Sequence, residues 1–234
     1  METVLAFDTA TAELTVALAA DGRIVAEREA GPDESGRPRH ATALLAAIED
    51  AVEQGGGWDA VTRIAVGVGP GTFTGLRIGV ATARALAQSR DLPVAGVSSL
   101  AALAAGVDAE DDPGMPRLAA LDAKRGEAFA ALYGAGGEPL WPEWVGPPDV
   151  LAERIGALEE APLALGDGSV RFRDQLERAG AVVPADGEQV HRLRARHLCR
   201  LAAQASDARD IEPNYLRRPD AELWRERDHG PSNG

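Results

Sequence analysis

Short apolar runs broken by turn residues open the chain. Residues 3–7 (Thr-Val-Leu-Ala-Phe) end at Asp8 and the polar turn Thr9, Ala10, Thr11. A second run covers 14–19, Asp21-Gly22 supplies a hairpin signal, and a third run covers 24–29. Three strands joined by tight turns predict an antiparallel meander. After a polar loop at 31–38, Leu44, Leu45, Ile48 and Val52 recur at helical spacing. They predict a helix from 39 to about 54, ended by Gly55, Gly56 and Gly57, with His40 in its first turn. An apolar strand at 64–68 then runs into a glycine turn and a helix that closes near 90. A short strand at 94–97 follows, and Ser98 and Ser99 cap a short helix over 100–105.

The same pattern returns more weakly in the second half. Residues 106–116 mix Asp, Glu, Gly and Pro and mark a domain boundary or mobile loop. Strands are predicted at 118–121, ending at Asp122, and at 127–133, joined by Ala123, Lys124, Arg125 and Gly126. The stretch around Trp141, Trp144, Pro147 and Pro148 reads as irregular. Helices are expected at 149–155, 170–178 and 189–205, and brief strands at 163–165 and 182–183. Residues 211–217 read as an extended packed segment, and those beyond about 221 as a polar, poorly ordered tail. Strands, helix, strand, helix, then a weaker copy, imply an α/β or α+β architecture with a mixed sheet and two related halves. The divisions are 1–105, 106–220 and 221–234.

The glycine turn is the most informative stretch. Gly69-Pro70-Gly71 must turn tightly, because Pro fixes φ and glycine takes either sign of φ. Thr72 is in place to cap the helix that follows, and such a turn aims backbone N–H groups at an anion. Within that helix Gly75, Gly79, Ala83 and Ala87 recur every four residues and line one stripe. Two helical glycines cost roughly 1 kcal/mol each against alanine, so something must approach closely. That something is either the chain's own sheet or a helix of another protein.

Composition narrows the classes. The chain has 234 residues, 45% hydrophobic and 26% charged, as soluble globular proteins have. Aromatics are 4%, so Ala, Leu, Val and Ile must build the core. No run reaches the roughly 18 apolar residues of a membrane span, and the first residues lack the basic start of a signal peptide. With one cysteine, Cys199, no internal disulfide forms, and a cytoplasmic setting is expected. A net charge of −13 argues against an autonomous nucleic-acid binder. The basic run at 191–196 reads as the solvated face of a helix.

No complete catalytic set emerges. Asp8 and Thr9 at the end of the first strand could meet a phosphate or a hydrated magnesium ion, with Gly71, Thr72 and Thr74 as further contacts. Yet Ala10 stands where close approach would favour glycine, and neither a Walker lysine motif nor a dinucleotide fingerprint occurs. His40 has Leu44 at i+4, so no paired-histidine metal motif forms. No Gly-x-Ser-x-Gly elbow is present, and Cys199 reads as a buried thiol.

The run Gly69-Pro70-Gly71-Thr72-Phe73-Thr74-Gly75-Leu76-Arg77-Ile78-Gly79 resembles the signature of the bacterial TsaB (YeaZ) family. The opening strand through Asp8, Thr9 and Ala10, the helix start from Arg39 to Leu45, the Leu121-to-Glu127 hairpin and the closing Pro213-Asn214-Tyr215-Leu216-Arg217 agree with it. The resemblance implies an actin/sugar-kinase-like (ASKHA) α/β fold. It would have two related lobes with mixed β-sheets flanked by helices, the second lobe reduced. It also implies a non-catalytic scaffold or activator that pairs with the catalytic paralogue TsaD. The product is threonylcarbamoyladenosine in tRNAs reading codons that begin with adenine.

Further partners follow from the resemblance: the small ATPase TsaE, a second copy of the chain when isolated, tRNA only through the complex, and no membrane. No cofactor is held tightly, with ATP or ADP at the complex interface. The two leading helices would supply the partner face, with His40, Leu44, Leu45 and Ile48 on one and Phe73, Gly75, Leu76, Gly79 and Ala83 on the other. Ala41 and Ala46 stand where the family would have Ser and Pro. The competing readings are an actin-like ATPase or kinase using Asp8 and Thr9, and a metallopeptidase.

Overall fold

The computed structural model describes residues 2–107, 114–202 and 211–217; the acidic stretch 108–112 and the tail from 221 lie outside them. The first lobe is a five-stranded sheet of β1 (Thr3–Asp8), β2 (Leu14–Ala20), β3 (Arg23–Ala30), β4 (Arg63–Gly69) and β5 (Val94–Ser98), ordered β3-β2-β1-β4-β5. The predicted meander forms, β1 and β2 pairing antiparallel and β2 likewise with β3. β4 and β5 join parallel, through α1 (His40–Gln54) and α2 (Phe73–Arg90). α3 (Ser99–Ala104) is capped as its sequence implies, Ser98 Oγ accepting the Ala101 N–H at 3.1 Å.

The second sheet runs β8-β7-β6-β9, from β6 (Arg117–Asp122), β7 (Ala128–Tyr133), β8 (Trp144–Gly146) and β9 (Leu163–Leu165). Its pairings copy the first: β6 and β7 antiparallel, β7 and β8 antiparallel, β6 and β9 parallel. The counterpart of β5 shrinks to a single parallel bridge between Leu163 and Val182. Two mixed sheets of one topology, the second reduced, are the actin/sugar-kinase-like α/β class expected above.

Strand alternation decides what each face meets. Leu5 and Phe7 of β1 point to the core under α1 and α2, with Leu44, Ile48, Val80 and Ala83. Val4 and Ala6 point the other way, into a core shared by both lobes. That shared core takes Ala119, Leu121, Phe129 and Tyr133 from the inner face of the second sheet. It also takes residues of α3 and of α7 (Ala195–Leu201). The outer face of the second sheet packs Leu118 and Leu132 against α4 (Pro148–Gly156) and α6 (Arg173–Arg178). Alanines are frequent on the inner faces, so helices and sheets close on one another around few large rings, Phe129 and Tyr133 among them.

Several expectations change. Trp144 and its neighbours form the edge strand β8 rather than an irregular stretch. The helix expected at 170–178 is two, α5 (Asp167–Arg171) and α6, because Phe172 leaves helical geometry (φ −108°, ψ 22°) and is buried. The helix expected from 189 is a short 3-10 turn, Gln189–His191, then extended backbone, then α7. The basic run there is not a solvated face: Arg192 pairs with Glu13 at 3.2 Å and Glu29 at 2.9 Å, Arg194 pairs with Glu29, and Arg196 reaches Glu27 at 3.6 Å. These pairs seat the segment on the first sheet, where the Ala195 N–H also donates to Thr15 Oγ1 at 3.0 Å. The chain thus returns to the first lobe well after 106.

Candidate functional site

The glycine turn closes onto the end of β1. Gly69 has φ +104° and its peptide to Pro70 is cis. A Cβ on Gly71 would lie 2.5 Å from the Ala10 Cβ, so the turn touches the β1–β2 connection directly. The Thr72 N–H donates to Ala10 O at 2.8 Å, so this N–H is spent inside the chain. Thr72 takes the extended N-cap backbone but makes no side-chain capping bond, against expectation.

Asp8 and Thr9 are sealed beneath this turn, both with 0% exposure. The Asp8 carboxylate accepts the Ala10 N–H at 2.6 Å and the Ser99 hydroxyl at 2.6 Å. Gly67 makes room for it, since a Cβ there would collide with the carboxyl. Burial pushes the Asp8 carboxyl up to about 6, with the Ser99 and Ala10 hydrogen bonds pulling the other way. Thr9 Oγ1 donates to Gly75 O at 2.8 Å. Asp8 and Thr9 therefore brace β1 against α2 and α3 and have no open side for a phosphate or hydrated ion. Gly71 and Thr72 are half-buried and Thr74 is exposed, so the five expected phosphate contacts are not all accessible.

The echoing hairpin in the second lobe is also occupied by its own chain. Asp122 Oδ2 receives Lys124 Nζ at 2.9 Å and Arg171 Nη1 at 2.9 Å. Burial would raise the Asp122 carboxyl, but Lys124 and Arg171 bring it below the usual carboxylate range. Among the described residues, no group of three His, Cys, Asp or Glu side chains is placed to hold a metal ion. No helix among them is long and apolar enough to cross a membrane. Cys199 is a half-buried thiol, and burial pushes its pKa up to about 12.

The two leading helices share one face of the first sheet and touch each other. Of the nine residues expected on a partner face, seven point inward: His40, Leu44, Ile48, Gly75, Leu76, Gly79 and Ala83. His40 is 3% exposed, with Nε2 2.9 Å from Thr11 O, and burial lowers its pKa. The small-residue stripe faces β1. A Cβ on Gly75 or Gly79 would collide with Thr9 O or Thr9 Oγ1 respectively. This corrects the reading of the stripe as a surface for a foreign helix: the close neighbour is the chain's own first strand.

Leu45, 59% exposed, and half-buried Phe73 remain accessible. The outward face carries residues outside those nine: Ala41 and Ala46 on α1, Arg77, Ala81 and Ala85 on α2, with Ile78 half-buried beside them. Only the phase of each helix against the sheet separates the two faces. Alanines at 41, 46, 81 and 85 were the available signal, being small residues at positions the rest of the chain leaves exposed.

Comparison with known proteins adds an independent line. The family described as TsaD, tRNA N6-adenosine threonylcarbamoyltransferase, matches residues 31–153. The chain is 33% identical to the tRNA threonylcarbamoyladenosine biosynthesis protein TsaB of Escherichia coli (strain K12), over 92% of this chain and 94% of that protein. It is 31% identical to the TsaB of Bacillus subtilis (strain 168), over 94% and 96% respectively. Among solved structures, YeaZ from Pseudomonas aeruginosa superposes with a TM-score of 0.74 at 29% identity, covering 92% of this chain and 100% of that one.

Proposed function

The chain belongs to the TsaB (YeaZ) family, and from that membership we propose that it acts in tRNA threonylcarbamoyladenosine biosynthesis as a non-catalytic subunit paired with TsaD. The relatives named for that biosynthesis support the process. The observation that carries the non-catalytic role is the sealing of Asp8 and Thr9 beneath Ala10, Gly71 and Ser99. A group with no exposure cannot touch a substrate phosphate. The same sealing weighs against a free-standing ATPase or kinase.

The docking face in this reading is the outer side of α1 and α2, centred on Leu45, Ala41, Ile78 and Ala81 and edged by Phe73 and Arg77. Small outward residues let a partner helix lie close, and one exposed leucine supplies an apolar anchor. TsaE joins the pair, and tRNA reaches the chain only through the complex. ATP or ADP would sit at the complex interface rather than in this chain's own cleft, and an isolated chain would pair with a second copy through the same face. The work takes place in the cytoplasm.

The test is co-purification with TsaD followed by tRNA modification in vitro with and without this subunit. Modification should require it. Full modification by TsaD, TsaE and the activated threonylcarbamoyl donor without this chain would overturn the proposal. ATP hydrolysis by the isolated chain, lost in Asp8→Ala, would favour the ATPase instead.

A further inference from the structure

Residues 211–217 are anchored alternately to the two lobes. Ile211 is buried in the first-lobe core, and a Cβ on Gly96 would lie 3.6 Å from it. The Asn214 N–H donates to Val68 O at 2.7 Å, directly before the glycine turn. The Asn214 side-chain amide donates to Glu143, which precedes β8 in the second lobe. The other Glu143 oxygen accepts the Ser98 hydroxyl of the first lobe. Glu143 is thus held from both sides, and burial raises its carboxyl above the usual range.

The next residues repeat the pattern. The Tyr215 ring packs on Phe73 with centroids 5.0 Å apart, and its hydroxyl accepts from Arg77 Nε at 3.2 Å. The Arg77 guanidinium lies 3.9 Å from the Phe73 ring centroid, so the first turn of α2 and the segment form one stack. Leu216 packs on the core shared by both lobes. Arg217 Nη1 donates to Ala123 O at 2.9 Å, and its guanidinium pairs with Glu127, so it grips both arms of the second-lobe hairpin.

We infer that residues 211–217 form a strap that fixes the angle between the two lobes and ties it to the first turn of α2. An actin-like fold closes its lobes around a ligand; here a segment of the chain itself spans the junction. Each anchor alone is one or two polar bonds or a ring contact, but in series they oppose rotation about the shared core. Movement of α2's first turn is transmitted through Tyr215 to Asn214 and Arg217, and from them to the second sheet. The inference does not depend on the identity of the partner.

Interlobe distance tests it. Spin labels at Glu53→Cys on α1 and Glu153→Cys on α4, in a full-length Cys199→Ala background, report one lobe against the other. With the strap intact, a single narrow distance distribution is expected. In Asn214→Ala with Arg217→Ala, the distribution should broaden and its mean shift, and amide exchange in β6 and β7 should rise about tenfold. If the doubly substituted chain fails to fold by circular dichroism, Asn214→Ala and Arg217→Ala singly carry the same test, with smaller shifts. A folded variant that keeps the narrow distribution and the parent exchange rates would overturn the inference.

Discussion

At the scale of single residues, Asp8 is the group whose chemistry most departs from its surroundings. It is a carboxylate with no exposure, held by one hydroxyl and one backbone N–H. Its pKa rises from 3.8 to about 6 on folding, so the fold favours the protonated form. Stability from this group is present at low pH and is lost as pH rises from about 4 to about 6, by ~3 kcal/mol at the usual 1.36 kcal/mol per unit. Asp8→Asn keeps the shape and removes the charge. It should therefore raise the unfolding free energy in urea at pH 7.5 by up to ~3 kcal/mol, the gain shrinking toward pH 4. A constant difference across that range would show that burial does not set this pKa. Gly79 makes the complementary case. Gly79→Ala pushes a methyl into Thr9 Oγ1 and should destabilise the isolated chain by about 1–3 kcal/mol, read as a fall in melting temperature. Gly79→Leu should prevent folding and is no clean probe of pairing.

At the scale of elements, α1 and α2 show how one period can serve two faces. Every fourth residue of α2 is small, and that period implies a close neighbour. It does not say whose. Thr9 at the end of β1 is that neighbour, leaving Leu45, Ile78 and Ala81 for anything docking from outside. Leu45→Glu should weaken pairing with TsaD by roughly tenfold or more in calorimetry while leaving the melting temperature of the isolated chain within a degree or so. Unchanged affinity would move the docking face elsewhere. The run leading into α7 teaches a related point. Arg192, Arg194 and Arg196 look like a solvated basic face in sequence, yet Glu13 just before β2 and Glu27 and Glu29 on β3 meet them.

At the scale of the whole molecule, charge and lobe arrangement decide what the chain can do alone. A net charge of −13 opposes a phosphate backbone, and the arginines of 192–196 are neutralised internally. The isolated chain should therefore bind tRNA more weakly than roughly 100 µM at physiological salt in a gel-shift assay, with retention appearing only when TsaD is added. Tight binding by the isolated chain would remove tRNA from the list of indirect partners. The lobes meet through an alanine-rich shared core, and Glu143 of the second lobe bonds both Ser98 of the first lobe and Asn214 of the strap.

The amino-acid sequence by itself determined the strands of the first meander, the helices after them, the glycine turn and the second, weaker copy. These depend on local period, turn chemistry and capping, which act between near neighbours in the chain. Its signature motif also pointed to the family. Only the tertiary structure decided which side of each helix is buried, that Asp8 and Thr9 are closed, and that 192–202 and 211–217 return to the first lobe. Those outcomes rest on contacts between residues such as Thr9 and Gly75, or Asn214 and Glu143, that lie 66 and 71 positions apart. A hydrophobic period states that a face is buried. The partner that buries it is set by packing in three dimensions.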